Sequence, residues 1–331
     1  MRPILLVLLV SYHAFAPFCG AWEIPSGVES NEFYKWLARL NYAFLLEGFI
    51  FLSGYVFVMQ IVEKNKFNSI NQIAVNKFHH LIIPCWIFGT AYYLIFTRPA
   101  EIQIGGIVSI LYGIGHLWYL PCLFWCSCIV YFLIKKGYNE KLTLLVLAAL
   151  MLGSIIYIPM QFNRAMYYMF FFYMGGMFWK YKDKLRTYAN VKYITSLTIL
   201  FAALLVTVNI YIEYTTKALV DADTLYKLML MLSKVLAKAI LATVGISTLY
   251  LAASLYMEDH TLNKTVMTIG TMGYGVYIFH QFVLKYLYYN IPFPEQLGTT
   301  MFPCVGLIIA IAVSLLLTWG FRNTKIGRKL I

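Results

Sequence analysis

Ten apolar stretches follow one another along this 331-residue chain, at 4–20, 40–61, 81–97, 116–134, 142–158, 165–179, 193–212, 235–256, 266–289 and 303–321. Most have the roughly 17–25 residues with which a helix crosses the bilayer's hydrocarbon core. The runs are continuous rather than alternating, and about twice as long as the strands of a membrane barrel. They therefore predict helices. Charged residues make up only 12% of the chain and mean hydropathy is +0.71, whereas soluble domains carry about 25% charge. Such a chain lacks the polar surface of a water-soluble globule. The fold expected is an all-α polytopic membrane protein with about ten transmembrane helices. The first run is expected to be retained, because no small-residue cleavage site follows it and apolar runs continue after it.

Basic residues orient the spans. With the N-terminus in the cytoplasm and the spans alternating, 17 of the 26 Lys and Arg fall on inner segments, among them Arg2, Lys64, Lys66, Lys77, Lys135, Lys136 and the group at 180–192. That bias predicts both termini inside, in a multi-pass protein of the plasma (inner) membrane. It also accounts for the net charge of +12 as basic loops against an anionic leaflet, not as a nucleic-acid surface.

The longest less apolar stretches, 21–38, 62–80, 98–115 and 213–233, are too short to form a separate soluble domain. Residues 1–331 are read as one transmembrane domain. The six cysteines all lie in or beside apolar runs without a metal-ligand spacing. They read as small buried residues, and no metal is expected.

Against this apolar background a few polar side chains stand out. In MRPILLVLLVSYHAF, eleven positions separate Arg2 from His13, close to three helical turns, so both share one face about 16 Å apart along the axis. That rise sets His13 near the bilayer midplane, where an ionisable residue is a functional candidate by default. The other reading is a neutral histidine bonded to a neighbouring helix, with Arg2 as an interfacial anchor. Glu47 in FLLEGFIFLSGYVF sits at a similar depth on the next span and is a candidate partner that orients the imidazole. Protonated and bonded to a backbone carbonyl, it would be structural instead. Ser53 and Gly54 form a small pair suited to close helix approach.

In NKFHHLIIPCW, Lys77 and His80 stand three apart at the entry to the third span. They suit either a phosphate-bearing ligand or a snorkelling cap. GHLWYL places His116, Trp118 and Tyr119 at the start of the fourth span, as an aromatic belt or a platform for sugar rings. GYGVYIFHQF carries Tyr274 and a second deep histidine, His280, read in the outer half of the membrane.

Taken in order, the Arg-x10-His element, FIFLSGY, the basic stretch before IIPCW, GHLWYL and GYGVYIFH resemble the membrane-bound acyltransferase-3 family from residue 2 to about 282. The resemblance implies an acyl-CoA donor, commonly acetyl-CoA, on the cytoplasmic side. It implies a glycan or lipid-linked sugar hydroxyl as acceptor, usually on the outer side. It carries a required role onto His13 and Arg2. The family's two arginines before the third helix are Lys77 and His80 here, and the resemblance assigns them to the donor's phosphates. His13 is then the general base, with Glu47 its candidate partner. His116, Trp118, Tyr119, Tyr274 and His280 become the acceptor side. A transporter using the deep histidines as a proton relay is the rival from another class, and a non-catalytic membrane scaffold a third. Oligomeric state is left open by the sequence.

Overall fold

A computed structural model describes residues 1–64, 66–99, 101, 103–220, 223–261 and 263–331, with the side chains of residues 259 and 265 outside that description. Among the described residues the structure is helical and has no strand. The helices are α1 (Arg2–Ala14), α2 (Glu32–Tyr42), α3 (Leu45–Val62), α4 (Ile70–Lys77), α5 (Ile83–Tyr92), α6 (Ile104–Tyr112), α7 (Tyr119–Lys136), α8 (Glu140–Gly153), α9 (Phe162–Lys180), α10 (Lys182–Arg186), α11 (Val191–Ala218), α12 (Thr224–Asp259), α13 (Lys264–Tyr289), α14 (Phe293–Arg322) and α15 (Gly327–Leu330).

Local chemistry explains where they start and stop. The side chains of Asn31, Ser69, Asn139, Asn190 and Asp223 each accept a backbone N–H from the first turn of α2, α4, α8, α11 and α12. Each replaces a partner that the helix end lacks. Proline at N1 or N2 opens α1, α5 and α14, where the missing N–H costs nothing. Gly137, in the left-handed conformation (φ +66°), closes α7 as few other residues do without strain.

Six described helices are long and apolar enough to cross a membrane: Glu32–Val62 taken through its break, Ile70–Thr97, Gly115–Lys136, Val191–Ala218, Thr224–Glu258 and Phe293–Arg322. All ten apolar stretches coincide with helix, but four fall short of that measure. α1 has 13 residues and α8 has 14, about 20 Å each by helical rise. α9 and α13 are long enough, yet tyrosines, glycines and, in α13, His280 and Gln281 dilute their apolarity. The four less apolar stretches also contain helix: α2 begins inside 21–38 and α4 lies inside 62–80. α6 lies inside 98–115, and most of 213–233 belongs to the ends of α11 and α12.

The chain divides into two compact units, Met1–Leu45 with His260–Ile331, and Leu46–Asp259. In the first, α1 packs on α2, α13 and α14. Buried Asn41 donates to Ser11 Oγ at 2.7 Å, tying α2 to α1. In the second, α3 and α9 touch backbone to backbone. A Cβ on Gly54 would lie 1.8 Å from the Phe172 carbonyl oxygen, and one on Gly175 would lie 2.0 Å from that of Phe51. The expected small-residue approach at Ser53–Gly54 is thus found, with α9 as the partner. Close packing of this kind holds helices together where lipid removes the hydrophobic driving force.

Adding one methyl at this seam should force the helices apart. Gly54→Ala and Gly175→Ala are each expected to cost about 1–3 kcal/mol or more. Gly105→Ala, where nothing lies within 4 Å of the new Cβ, should stay within about 0.5 kcal/mol of wild type. Thermal unfolding in detergent measures both. A Gly54→Ala protein as stable as Gly105→Ala would contradict the backbone contact.

Candidate active site

The unit built from the two chain ends brings His13 and His280 together. α13 reaches α1 through Gly273, where a Cβ would meet Leu6 Cδ1 at 2.8 Å and Arg2 Nε at 3.3 Å. On its other side Gly275 faces α14, where a Cβ would fall 2.3 Å from Thr318 Oγ1. The GYG of the sequence is therefore a thin strip of helix wedged between two others. Seven residues beyond Leu6 comes His13, and seven beyond Gly273 comes His280. Both steps are close to two turns, about 10 Å of rise. The two helices run in the same direction, and the matched steps return both histidines to the shared face.

There the rings meet. His280 Nε2 lies 3.2 Å from His13 Nδ1, with ring centroids 4.8 Å apart. Each Nδ1 also faces the carbonyl one turn back on its own helix, Leu9 O for His13 and Val276 O for His280, both at 3.0 Å. A carbonyl oxygen only accepts, so in both rings Nδ1 carries the hydrogen. In neutral His13 the basic nitrogen is then Nε2, an assignment that follows from the hydrogen-bond geometry. His280 has no exposed surface, whereas His13 is only partly buried. His13 is the more exposed member of the pair.

Aromatic side chains wall this place. Tyr12 and Trp22 stand at 4.9 and 5.6 Å from the His13 ring, centroid to centroid, and Lys285 Nζ sits 5.4 Å above the Trp22 ring. Tyr288 Oη donates to the carbonyl of Ala14 at 3.0 Å, satisfying an acceptor at the end of α1. Tyr274 stacks with Tyr277, which lies 6.3 Å from His280. Trp22 and Lys285 were not singled out by sequence. Lys285 was visible as a charge inside an apolar run, but Trp22 sits in a segment with no periodic signal.

The second unit holds the other candidates. Glu47 is buried, and Tyr167 Oη donates to its Oε1 at 3.0 Å. Tyr167 packs edge-on against Tyr168, which stacks with Trp118 at 6.0 Å. The guanidinium of Arg164 lies 4.2 Å from the Trp118 ring centroid, a cation–π distance. Glu47 and Trp118 are thus linked through two α9 tyrosines that the sequence reading passed over. Gly113 and Gly115, both at positive φ, make the turn that delivers the 3₁₀ segment Gly115–Trp118. His116 and Tyr119 are buried there, and Trp118 is partly exposed. At the end of α4, Lys77 is half-buried with Nζ 5.5 Å from the Phe57 ring centroid. The chain continues into a π turn, Phe78–Ile82, that leaves His80 exposed. The Lys77 charge still acts on the His80 imidazole. Among the described residues no group of three or more His, Cys, Asp or Glu is placed to hold a metal ion.

No curated protein and no solved structure matches the chain. The family model described as an acyltransferase domain, that of acyltransferase family 3, matches residues 1–319 of the 331. It covers both units and every residue of the two constellations just described, and on that match the chain belongs to the acyltransferase-3 family.

Proposed function

We propose that this membrane acyltransferase is an O-acyltransferase of the plasma (inner) membrane. In this reading it moves an acyl group, most simply acetyl, from cytoplasmic acyl-CoA to a hydroxyl of a surface polysaccharide or lipid-linked sugar. The ten helical stretches then cross the bilayer with both termini in the cytoplasm. The observation that carries the proposal is His13 itself: a partly exposed imidazole whose Nδ1 proton is held by Leu9 O, on a helix with Arg2 three turns below.

The chemistry follows from that tautomer. His13 Nε2 takes the proton of the acceptor hydroxyl as its oxygen attacks the thioester carbonyl. The carbon–sulfur bond then breaks, and the departing thiolate takes the proton back from the imidazolium. No covalent acyl-enzyme is needed, and Ser11, two residues from His13, is buried and bonded to Asn41. A positioned base supplies about 10²–10⁴-fold; holding the thioester against the hydroxyl supplies much of the remainder.

In the same reading Arg2 and Lys77 hold the donor's anionic groups, with His80 assisting. Trp118, Tyr119, His116 and Tyr274 belong to the acceptor side, where sugar C–H faces stack on aromatic rings. Glu47, which accepts a hydrogen bond from Tyr167, remains the candidate partner of the base. A transporter with a histidine relay is the rival reading, and it has no reason to bind acyl-CoA.

Purified protein is expected to bind acyl-CoA and to transfer its acyl group to the acceptor. His13→Ala should insert and unfold like wild type while transfer falls by at least about 10²-fold. A tenth of the activity remaining in a well-folded variant would remove the base role. Lys77→Ala should weaken donor binding more at low than at high salt, because salt screens the attraction between the ammonium and an anionic donor. Unchanged donor affinity at low salt would move the phosphate contact to Lys64, Lys66 or the basic 180–186 segment.

A further inference from the structure

We infer that His280 is the positioning residue for His13: it stands behind the base, accepts a hydrogen bond from His13 Nδ1–H, and stabilises the imidazolium formed during transfer. The inference rests on the proposed base role of His13 and gives His280 a task other than lining an acceptor wall.

The argument starts from proton counting. A neutral imidazole has one N–H and one acceptor nitrogen. His280 directs its N–H at the Val276 carbonyl, so its Nε2 is an acceptor, and that nitrogen points at His13 Nδ1 from 3.2 Å. His13 Nδ1–H is therefore shared between Leu9 O at 3.0 Å and His280 Nε2. In the resting ring this three-centre arrangement only fixes orientation. Once His13 Nε2 takes a proton the ring is cationic, every N–H on it is a stronger donor, and an acceptor already in place needs no rearrangement. The buried ring serves the partly exposed one, as in hydrolytic triads where a third group orients the base.

Neutral His280 differs from the carboxylate of such a triad, and Leu9 gives the size of the effect. Where losing the orienting group also lets the tautomer change, activity falls about 10⁴-fold. Here Leu9 O preserves the tautomer without His280, so the loss should be smaller, about 10–100-fold, as for other groups that act through the residue they hold.

The test compares two variants of similar bulk, His280→Leu and His280→Gln. Leucine fills the buried space without an acceptor; the glutamine amide oxygen can occupy the place of Nε2. Full-length protein in detergent or lipid, with acyl-CoA and the acceptor, gives kcat and both KM values, and thermal unfolding gives stability. We expect His280→Leu to lose about 10–100-fold in kcat with both KM values within about threefold. His280→Gln should recover to within about fivefold of wild type even though it is the less stable of the two. A purely structural histidine predicts the reverse order, with activity following stability. His280→Leu matching wild type, or matching His280→Gln, would overturn the inference. His13→Ala measured alongside separates the two claims. If it is inactive while the Leu and Gln variants are equal, only the role of His280 fails. If it stays active, the base reading fails and this inference with it.

Discussion

Close parallel contact between α1 and α13 is the constraint on which the candidate active site depends. Gly273 lets α13 approach until a methyl in its place would touch Leu6 and Arg2, and Gly275 does the same toward Thr318 of α14. With bulkier residues the helices would stand further apart, and two imidazoles two turns along would no longer be within hydrogen-bonding reach. The glycines thus supply no chemistry of their own, yet they set the distance on which His13 and His280 act. Tyr288, bonding the Ala14 carbonyl, and Asn41, bonding Ser11, hold the far end and the other flank of α1.

Polar groups inside apolar helices must be satisfied within protein, because lipid offers no partners. This chain solves the problem repeatedly in one way. Ser53, Ser127, Thr318, His13 and His280 each direct a side-chain donor to the carbonyl four residues earlier. For serine and threonine this uses the only donor. For histidine it leaves a second ring nitrogen whose character is now determined. The same local habit that makes a hydroxyl quiet makes an imidazole into an oriented base. α13 falls below the apolarity of an ordinary span because it carries polar residues of the site, His280 among them.

Much of this was legible in the sequence, and the limits are physical. Continuous apolar runs located helix at all ten stretches, because hydrophobic length is a local property. The same criterion passed over α4, an eight-residue helix, and α6, a nine-residue helix with two glycines, and it ended α11 too soon and began α12 too late, where tyrosines, threonines and lysines carry the helix beyond its most apolar part. His13 and Arg2 were visible as a pair by helical period alone. That His280 is the neighbour of His13 was not, since 267 positions separate them and periodicity carries no information between distant helices. Glu47 was recognised as unusual for its depth, but its bond to Tyr167, 120 positions away, is equally non-local. The π turn after Lys77 has no clear sequence signature.

The account turns on which nitrogen of His13 is basic, and nitrogen NMR of histidine-labelled protein reads that directly. Assigned by difference from His13→Ala, the resting spectrum should show His13 Nδ1 bonded to hydrogen and Nε2 as a bare ring nitrogen. His280 should show the same pattern, with coupling or proximity between His13 Nδ1–H and His280 Nε2. A proton on His13 Nε2 and none on Nδ1 would contradict the account. The base would then be turned away from its substrate, and the pairing with His280 would be packing alone.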